Sequence, residues 1–268
     1  MFGVVPKPLW ERRAPPDERN RIPLAMRCLL VEHDVGPVLV DTALGNKENP
    51  KFLDIYGVEN SGEVGATALD DAIVKIGVTA SEIKYVINTH LHFDHAGGNT
   101  VNHSTAQRPV LAFPNATYVV QKGELGFARH RTERTQASYL PPNFEPVAEA
   151  GRWRLVDGAA EVLPGISVLP TPGHVPFHQS ILVQNDGEGA CFVGDLIPTV
   201  AHLPLPWIMG YDLEPLRTLE SKRWLLERAA GEGWVLVFEH EPGAAVGTVE
   251  KQEKGYAFRP LDTPSPRP

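Results

Sequence analysis

The sequence has little of several features that mark particular classes of protein. It contains only two cysteines, Cys28 and Cys191, and each lies in an apolar stretch where a thiol behaves as a small buried hydrophobe. We therefore expect them to form neither a disulfide nor a metal site. No run of 18 apolar residues is present, and the first residues lack a basic segment followed by an apolar one. A cytoplasmic protein without a membrane span is the expectation.

Basic residues are outnumbered by acidic ones. The chain has 25 Lys and Arg against 33 Asp and Glu, a formal net charge of −8, and no Lys/Arg-rich run. Because nucleic-acid binding depends on neutralising phosphates, we expect no nucleic-acid partner. The sequence also lacks a Gly-x-Ser-x-Gly elbow and a Gly-rich phosphate loop, which argues against a serine hydrolase and a P-loop enzyme.

The pattern of apolar residues indicates alternating strands and helices. A length of 268 residues fits one large α/β domain or two small ones. The predicted strands are 24–32, 37–41, 85–89, 116–120, 166–169, 180–184, 190–193 and 234–238. The predicted helices are 69–76, 122–130 and 213–228, with a further helix start at 79–82. The first two strands should form a hairpin through residues 33–36, and the Pro-rich end at 263–268 should fray.

The densest cluster of metal-binding side chains follows the predicted strand at 85–89. His90, His92, Asp94 and His95 supply three imidazoles and one carboxylate within six residues, and divalent ions such as zinc bind both groups. Side chains alternate along an extended backbone, so His90 and His92 should point to the same side. A lone histidine is more often a core or surface residue, but this number at this spacing favours a metal site.

This motif and its surroundings resemble the metallo-β-lactamase superfamily. Asp41 matches the family's early aspartate, the turn Thr-Pro-Gly-His ending at His174 matches its next ligand motif, Asp195 its bridging carboxylate and His240 its last histidine. The resemblance covers nearly the whole chain. It implies an α/β fold, the four-layer αββα metallo-β-lactamase sandwich, with the metal site at the edge between the two sheets. It also favours a single domain over 1–268, with an elaborated insertion at about 99–155.

The resemblance implies two divalent metal ions per chain, with zinc expected and manganese, iron and cobalt as alternatives. The implied ligands are His90, His92 and His174 for the first ion, Asp94, His95 and His240 for the second, and Asp195 as the bridge between them.

The second ligand turn departs from the family pattern, because a further histidine follows at His178. We assign the ligand to His174, which directly follows Pro-Gly, and expect His178 to support or pack beside the site. The remaining histidines are interpreted as ordinary structural residues: His33, His103, His130 and His202.

Two close divalent ions that share a hydroxide favour hydrolysis of an ester-like bond. Asp94 would orient the attacking hydroxide and shuttle a proton. Residues 194–212 resemble the quorum-quenching N-acyl-homoserine lactonases of the superfamily, which implies a lactonase. Tyr211 is the candidate hydroxyl near the substrate carbonyl, and an aromatic anchor at a helix start is its alternative role. Four apolar residues are candidates for an acyl pocket or for ordinary core packing: Phe93, Trp207, Ile208 and Met209.

Other functions use the same kind of site. A phosphotriesterase or arylesterase is the main alternative. A thioesterase of the glyoxalase II kind is disfavoured because no basic C-terminal region is evident, and a β-lactamase proper is disfavoured by Asp94 and by the lack of a signal peptide. A metal-binding module without activity is the remaining class. The expected partner is a small-molecule ester or lactone, with no membrane partner, and the family resemblance favours a homodimer.

Overall fold

The computed structural model describes residues 1–261, which divide into two compact units. One contains residues 26–157, and the other contains residues 1–25 and 158–261. Each unit is built on its own β-sheet. The Pro-rich end at 263–268, for which we expect fraying, lies outside the described residues. The single-domain assignment stays a prediction.

The elements of secondary structure are numbered in chain order. The helices are α1 (Lys7–Trp10), α2 (Pro50–Tyr56), α3 (Ala68–Lys75), α4 (Phe93–Ala96), α5 (Lys122–Arg129), α6 (Glu145–Glu149) and α7 (Pro215–Glu232). The strands are β1 (Leu29–Val31), β2 (Val38–Val40), β3 (Tyr85–Ile87), β4 (Thr100–Val101), β5 (Val110–Leu111), β6 (Thr117–Gln121), β7 (Trp153–Val156), β8 (Ala160–Leu163), β9 (Ile166–Pro170), β10 (Gln179–Asn185), β11 (Glu188–Phe192), β12 (Val235–Val237), β13 (Val246–Gln252) and β14 (Gly255–Pro260). No described helix has the length and apolar character that crossing a bilayer demands.

The unit of residues 26–157 has a five-stranded sheet in the order β1-β2-β3-β6-β7. The predicted hairpin is confirmed, because β1 and β2 pair antiparallel, and the other pairs are parallel. Parallel strands covered on both faces are continuously apolar, and β3 and β6 are largely buried, as their sequences indicate. The segment expected to be an insertion contributes β6 and β7 to this sheet.

The helix predicted at 69–76 is confirmed as α3. A capping box between Thr67 and Asp70 starts it, and it ends before Gly77, which has a φ of +80°. The helix start predicted at 79–82 is wrong. There the Glu82 carboxylate accepts hydrogen bonds from the backbone and hydroxyl of Thr79, and the chain makes a turn. Since β3 begins at Tyr85, too few residues remain for a helix.

The other unit has a seven-stranded sheet in the order β14-β13-β12-β11-β10-β9-β8. The pair β11 and β12 is parallel and the other described pairs are antiparallel. A parallel pair needs a long connection, and α7 supplies it. The apolar face of α7, with Leu225, Leu226 and Ala229, packs in one core with Cys191 and Leu236. Burial raises the pKa of Cys191 to about 12, which keeps it an inert thiol.

Candidate metal centre

The predicted metal motif lies where β3 ends. His92 is still in an extended conformation, and the short helix α4 begins at the next residue, so Asp94 and His95 lie on a helical turn. The ring centroid of His90 is 4.5 Å from that of His92 and 4.0 Å from that of His95. Three imidazoles this close would repel one another if each carried a proton charge. Their clustering therefore suits neutral rings that act as metal ligands.

Asp41 fixes the motif from the end of β2. Its side chain is fully buried, and its two oxygens accept hydrogen bonds from the backbone N–H of Thr89 at 2.7 Å and from the Thr89 hydroxyl at 2.6 Å. One of these oxygens also lies 3.0 Å from Nδ1 of His95. Because an ionised carboxylate only accepts, a neutral His95 ring carries its proton on Nδ1 and keeps its Nε2 lone pair, as metal-binding histidines require.

Two glycines allow the backbone that follows the motif to pack closely against the backbone of residues 42–45. A Cβ atom on Gly98 would lie 2.2 Å from the carbonyl oxygen of Thr42, and one on Gly97 would lie 2.8 Å from the backbone nitrogen of Gly45. No side chain fits at either position. The Lys47 ammonium donates hydrogen bonds to the carbonyl oxygens of Gly97 and Thr100 and so holds the backbone that follows the motif. Burial lowers the pKa of Lys47 to about 8.

Two residues that the sequence analysis missed hold the loop between His90 and His92. The buried carboxylate of Glu124, on α5, accepts from the backbone N–H of Leu91 at 3.0 Å and from the Tyr139 hydroxyl at 2.8 Å. The Tyr139 ring packs edge-on against His92, with centroids 4.6 Å apart. Burial and the neighbouring Glu124 raise the pKa of Tyr139 well above its ordinary value. No local pattern signals these roles, because Glu124 lies 33 residues from Leu91.

In the other unit, Asp195 faces two histidines. It lies in the tight turn after β11, with one carboxylate oxygen 3.0 Å from Nε2 of His174 and the other 3.0 Å from Nε2 of His240. Two ligands of one zinc ion, each about 2.0–2.2 Å from the metal, lie roughly 3–3.5 Å apart. The spacing of both pairs therefore fits a carboxylate that shares one metal with each histidine.

The second ring nitrogen of each of these histidines is held by the protein. Nδ1 of His174 lies 3.0 Å from Asp212, and Nδ1 of His240 lies 2.6 Å from the carbonyl oxygen of Ala25. Burial lowers the pKa of His174, but Asp195 and Asp212 outweigh this and raise it to about 10. Surroundings that favour a positive charge on this ring also favour a metal cation beside it. Sequence reasoning missed the role of Asp212.

His178 has both ring nitrogens engaged within the protein. Nδ1 lies 2.9 Å from the Thr171 hydroxyl, and Nε2 accepts from the backbone N–H of Asp195 at 3.1 Å. The ring therefore positions the backbone of Asp195, which supports our choice of His174 over His178 as the ligand.

The remaining candidates lie in different surroundings. Tyr211 lies in a turn with 58% of its surface exposed. Phe93 packs against Phe52 and Tyr56, and Met209 is buried. His202 is buried as well, and burial followed by the charge of Lys222 lowers its pKa to about 3.

Comparison with known proteins agrees with this geometry. Residues 23–240 match the family described as the Metallo-beta-lactamase superfamily, and the chain belongs to that superfamily. A solved structure of a probable metal-dependent hydrolase from Staphylococcus aureus superposes with a TM-score of 0.86 at 27% identity, covering 98% of this chain and 91% of that one. The predicted metallo-β-lactamase fold is confirmed.

Similar proteins include lactonases, as the sequence analysis predicts. An N-acyl homoserine lactonase of Bacillus cereus is 32% identical over 175 residues, which are 63% of this chain and 62% of that protein. The match thus spans less than two thirds of the length of this relative. The structure of a quorum-quenching N-acyl homoserine lactone lactonase has a TM-score of 0.62 at 27% identity, covering 82% of this chain and 80% of that one.

Proposed function

We propose that this protein is a dinuclear metal-dependent hydrolase that opens N-acyl-homoserine lactones. The observation that carries the proposal is the placement of Asp195, whose two oxygens each lie 3.0 Å from a different imidazole, those of His174 and His240. A carboxylate that contributes one oxygen to each of two metals needs this arrangement.

The proposed ligands contain nitrogen and oxygen donors and no thiolate, which suits zinc and, as alternatives, manganese, iron or cobalt. The proposed sets are His90, His92 and His174 for one ion and Asp94, His95 and His240 for the other, with Asp195 as the bridge. Support comes from their Nδ1 atoms, because His95, His174 and His240 each have that nitrogen next to a protein acceptor. When bound, such ions activate water and polarise the substrate carbonyl.

The chain supplies proton transfer and orientation. Asp94 keeps 28% of its side chain exposed, with a carboxylate oxygen 3.9 Å from Nε2 of His95. We propose that Asp94 accepts a proton from the attacking water and donates it to the leaving alkoxide as the lactone ring opens. Tyr211 is assigned a hydrogen bond to the carbonyl oxygen, where negative charge develops. With 58% of its surface exposed, Tyr211 is accessible to a substrate that arrives from solvent.

The substrate class rests on the similarity to N-acyl homoserine lactonases. The test compares kcat/KM on an N-acyl-homoserine lactone, an aryl ester and a dialkyl aryl phosphotriester, using protein loaded with zinc. We expect the lactone to be the fastest substrate. Faster hydrolysis of the phosphotriester or the aryl ester would contradict the lactonase proposal and favour the alternative hydrolases.

Metal content is tested separately. Protein stripped with a chelator should regain activity as zinc is added, with a break at two equivalents per chain. A break at one equivalent would contradict the dinuclear proposal while leaving a metal-dependent hydrolase. The expected homodimer stays a prediction.

A further inference from the structure

The turn that carries His174 is clamped by the start of α7. The carbonyls of three successive residues each accept a hydrogen bond from this region: Pro172 from the Ser221 hydroxyl at 2.7 Å, Gly173 from the backbone of Glu214 at 2.9 Å, and His174 from the backbone of Leu213 at 3.0 Å. Gly173 has a φ of +142°, and a Cβ atom there would lie 2.3 Å from the backbone nitrogen of Thr218. The backbone of this turn therefore has little freedom to move relative to α7.

The side chain of His174 is held by the same region. Its Nδ1 lies 3.0 Å from one oxygen of Asp212, and the other oxygen accepts a 2.7 Å hydrogen bond from the Thr218 hydroxyl. The Asp212 and His174 side chains are 1% and 2% exposed, so water does not compete for these contacts. Because an ionised carboxylate only accepts, the proton of a neutral His174 ring lies on Nδ1 and the Nε2 lone pair points toward Asp195.

We propose that Asp212, oriented by Thr218, is a positioning residue that fixes the ring orientation and tautomer of His174 for metal binding. This inference rests on the proposed function of His174 as a metal ligand. Carboxylates that accept from the distal nitrogen of a metal-bound histidine orient the ring and strengthen it as a ligand. Asp212 meets that geometry, although it lies 38 residues from His174.

Lys222 extends the same support to the segment that leads to Asp212. Its buried ammonium donates to the carbonyls of His202, Pro204 and Trp207 at 2.7, 3.0 and 3.0 Å. Thr218, Ser221 and Lys222 share one face of α7, since residues three and four apart lie side by side on a helix. One buried polar face of α7 therefore fixes both the His174 turn and the chain on which Asp212 lies.

The experiment compares zinc affinity in four variants with that of the wild type, by competition with a chromophoric chelator. Asp212→Ala should weaken binding at one of the two zinc sites by roughly 10- to 100-fold, the range seen when the outer partner of a metal ligand is removed. Asp212→Asn should lose less, because its amide oxygen still accepts from Nδ1. Thr218→Val should also lose less, since it removes a contact to Asp212 and leaves the carboxylate.

Glu214→Ala is the matched control. The Glu214 side chain pairs with Arg217 at the surface, and its backbone N–H, which holds the turn, is unchanged by the substitution. We expect wild-type zinc affinity for this variant. Equal zinc loss in Glu214→Ala and Asp212→Ala would overturn the proposal, because it would indicate a general loosening of the α7 start.

Nitrogen-15 NMR of labelled histidine provides a readout that does not depend on activity. In the zinc-loaded protein, the Nδ1–H of wild-type His174 should be protected from exchange with solvent by Asp212. Asp212→Ala should lose this protection, and Asp212→Asn should partly keep it. Unchanged protection together with unchanged zinc affinity in Asp212→Ala would overturn the proposal. If the wild-type protein binds zinc but does not open lactones, the substrate proposal fails and the role of Asp212 is still decided by these measurements.

Discussion

The two halves of the proposed ligand set are organised in different ways. In the unit of residues 26–157, four proposed ligands lie within six residues, on the short segment that ends in the turn α4 and glycines 97 and 98, and Asp41 and Glu124 hold this one segment. In the other unit, three proposed ligands are spread from His174 to His240, and each is held by a different group. A contiguous motif can be recognised from spacing alone. A dispersed set depends on the fold to bring its members together.

The comparison predicts that Asp195 is the most sensitive single position, since it alone faces two proposed ligands in its unit. Asp195→Ala should lower kcat/KM by roughly 100-fold or more, exceeding the effect of outer partners of metal ligands. Metal content should fall below two ions per chain while the circular dichroism spectrum is retained.

The exposed Asp157→Ala variant serves as the control for Asp195→Ala and should behave as wild type. Near-full turnover in Asp195→Ala would show that the bridging assignment is wrong.

The second prediction concerns Tyr211, the more exposed of the two proposed catalytic residues. Tyr211→Phe should lower kcat on a homoserine lactone by roughly 10- to 1,000-fold, as expected on loss of one donor to a developing oxyanion, with metal content unchanged. Its exposure means that stability should change little. An unchanged kcat would remove Tyr211 from the mechanism and leave the metal-dependent hydrolase intact.

The third prediction concerns Asp41, which supports the contiguous motif at residues 90–95. It has a φ of +52°, which Asn tolerates better than Ala, and it holds both Thr89 and His95. We expect Asp41→Ala to lower zinc affinity by roughly 10- to 100-fold. It should also reduce the free energy of unfolding by about 1–3 kcal/mol, because buried donors lose their acceptor. Asp41→Asn should be milder in both urea unfolding and zinc titration, and a harsher Asn variant would contradict this account.

Local sequence pattern explains which parts of the structure were predictable. The continuous apolar runs of β3 and β6 and the spaced apolar residues of α7 were sufficient to predict those elements. By contrast, β13 and β14 are half exposed and carry mixed polar residues, so their pattern was weak and they were missed. The prediction of a helix start at 79–82 is wrong because the same pattern of residues that caps a helix also forms a hydrogen-bonded turn. Here the turn leads directly into β3.

The residues of the candidate site also divide into those that local sequence predicts and those that it does not. The motif at residues 90–95 follows from residue type and spacing, whereas His174, Asp195 and His240 were found through the family resemblance. The roles of Glu124 and Asp212 were not predicted, because nothing in the local sequence distinguishes them from other acidic residues. Each role depends on a partner more than 30 residues away. Supporting residues of this kind become visible when buried hydrogen bonds are traced from the ligands outward.

The smallest expected effect concerns His202, a buried histidine outside the proposed ligand set. Its ring stacks on Phe2, with centroids 4.4 Å apart, and burial followed by the charge of Lys222 lowers its pKa to about 3. Between about pH 3 and the ordinary histidine value of about 6.5, the unfolded chain binds a proton at this position that the folded chain does not. Stability contributed by the neutral ring is therefore present above this window and is lost as the pH falls through it.

Urea unfolding at pH 4.5 and pH 7 should show a smaller pH dependence in His202→Gln than in the wild type, while the exposed His103→Gln control should keep the wild-type dependence. A wild-type pH dependence in His202→Gln would show that His202 is not the residue whose protonation opposes folding.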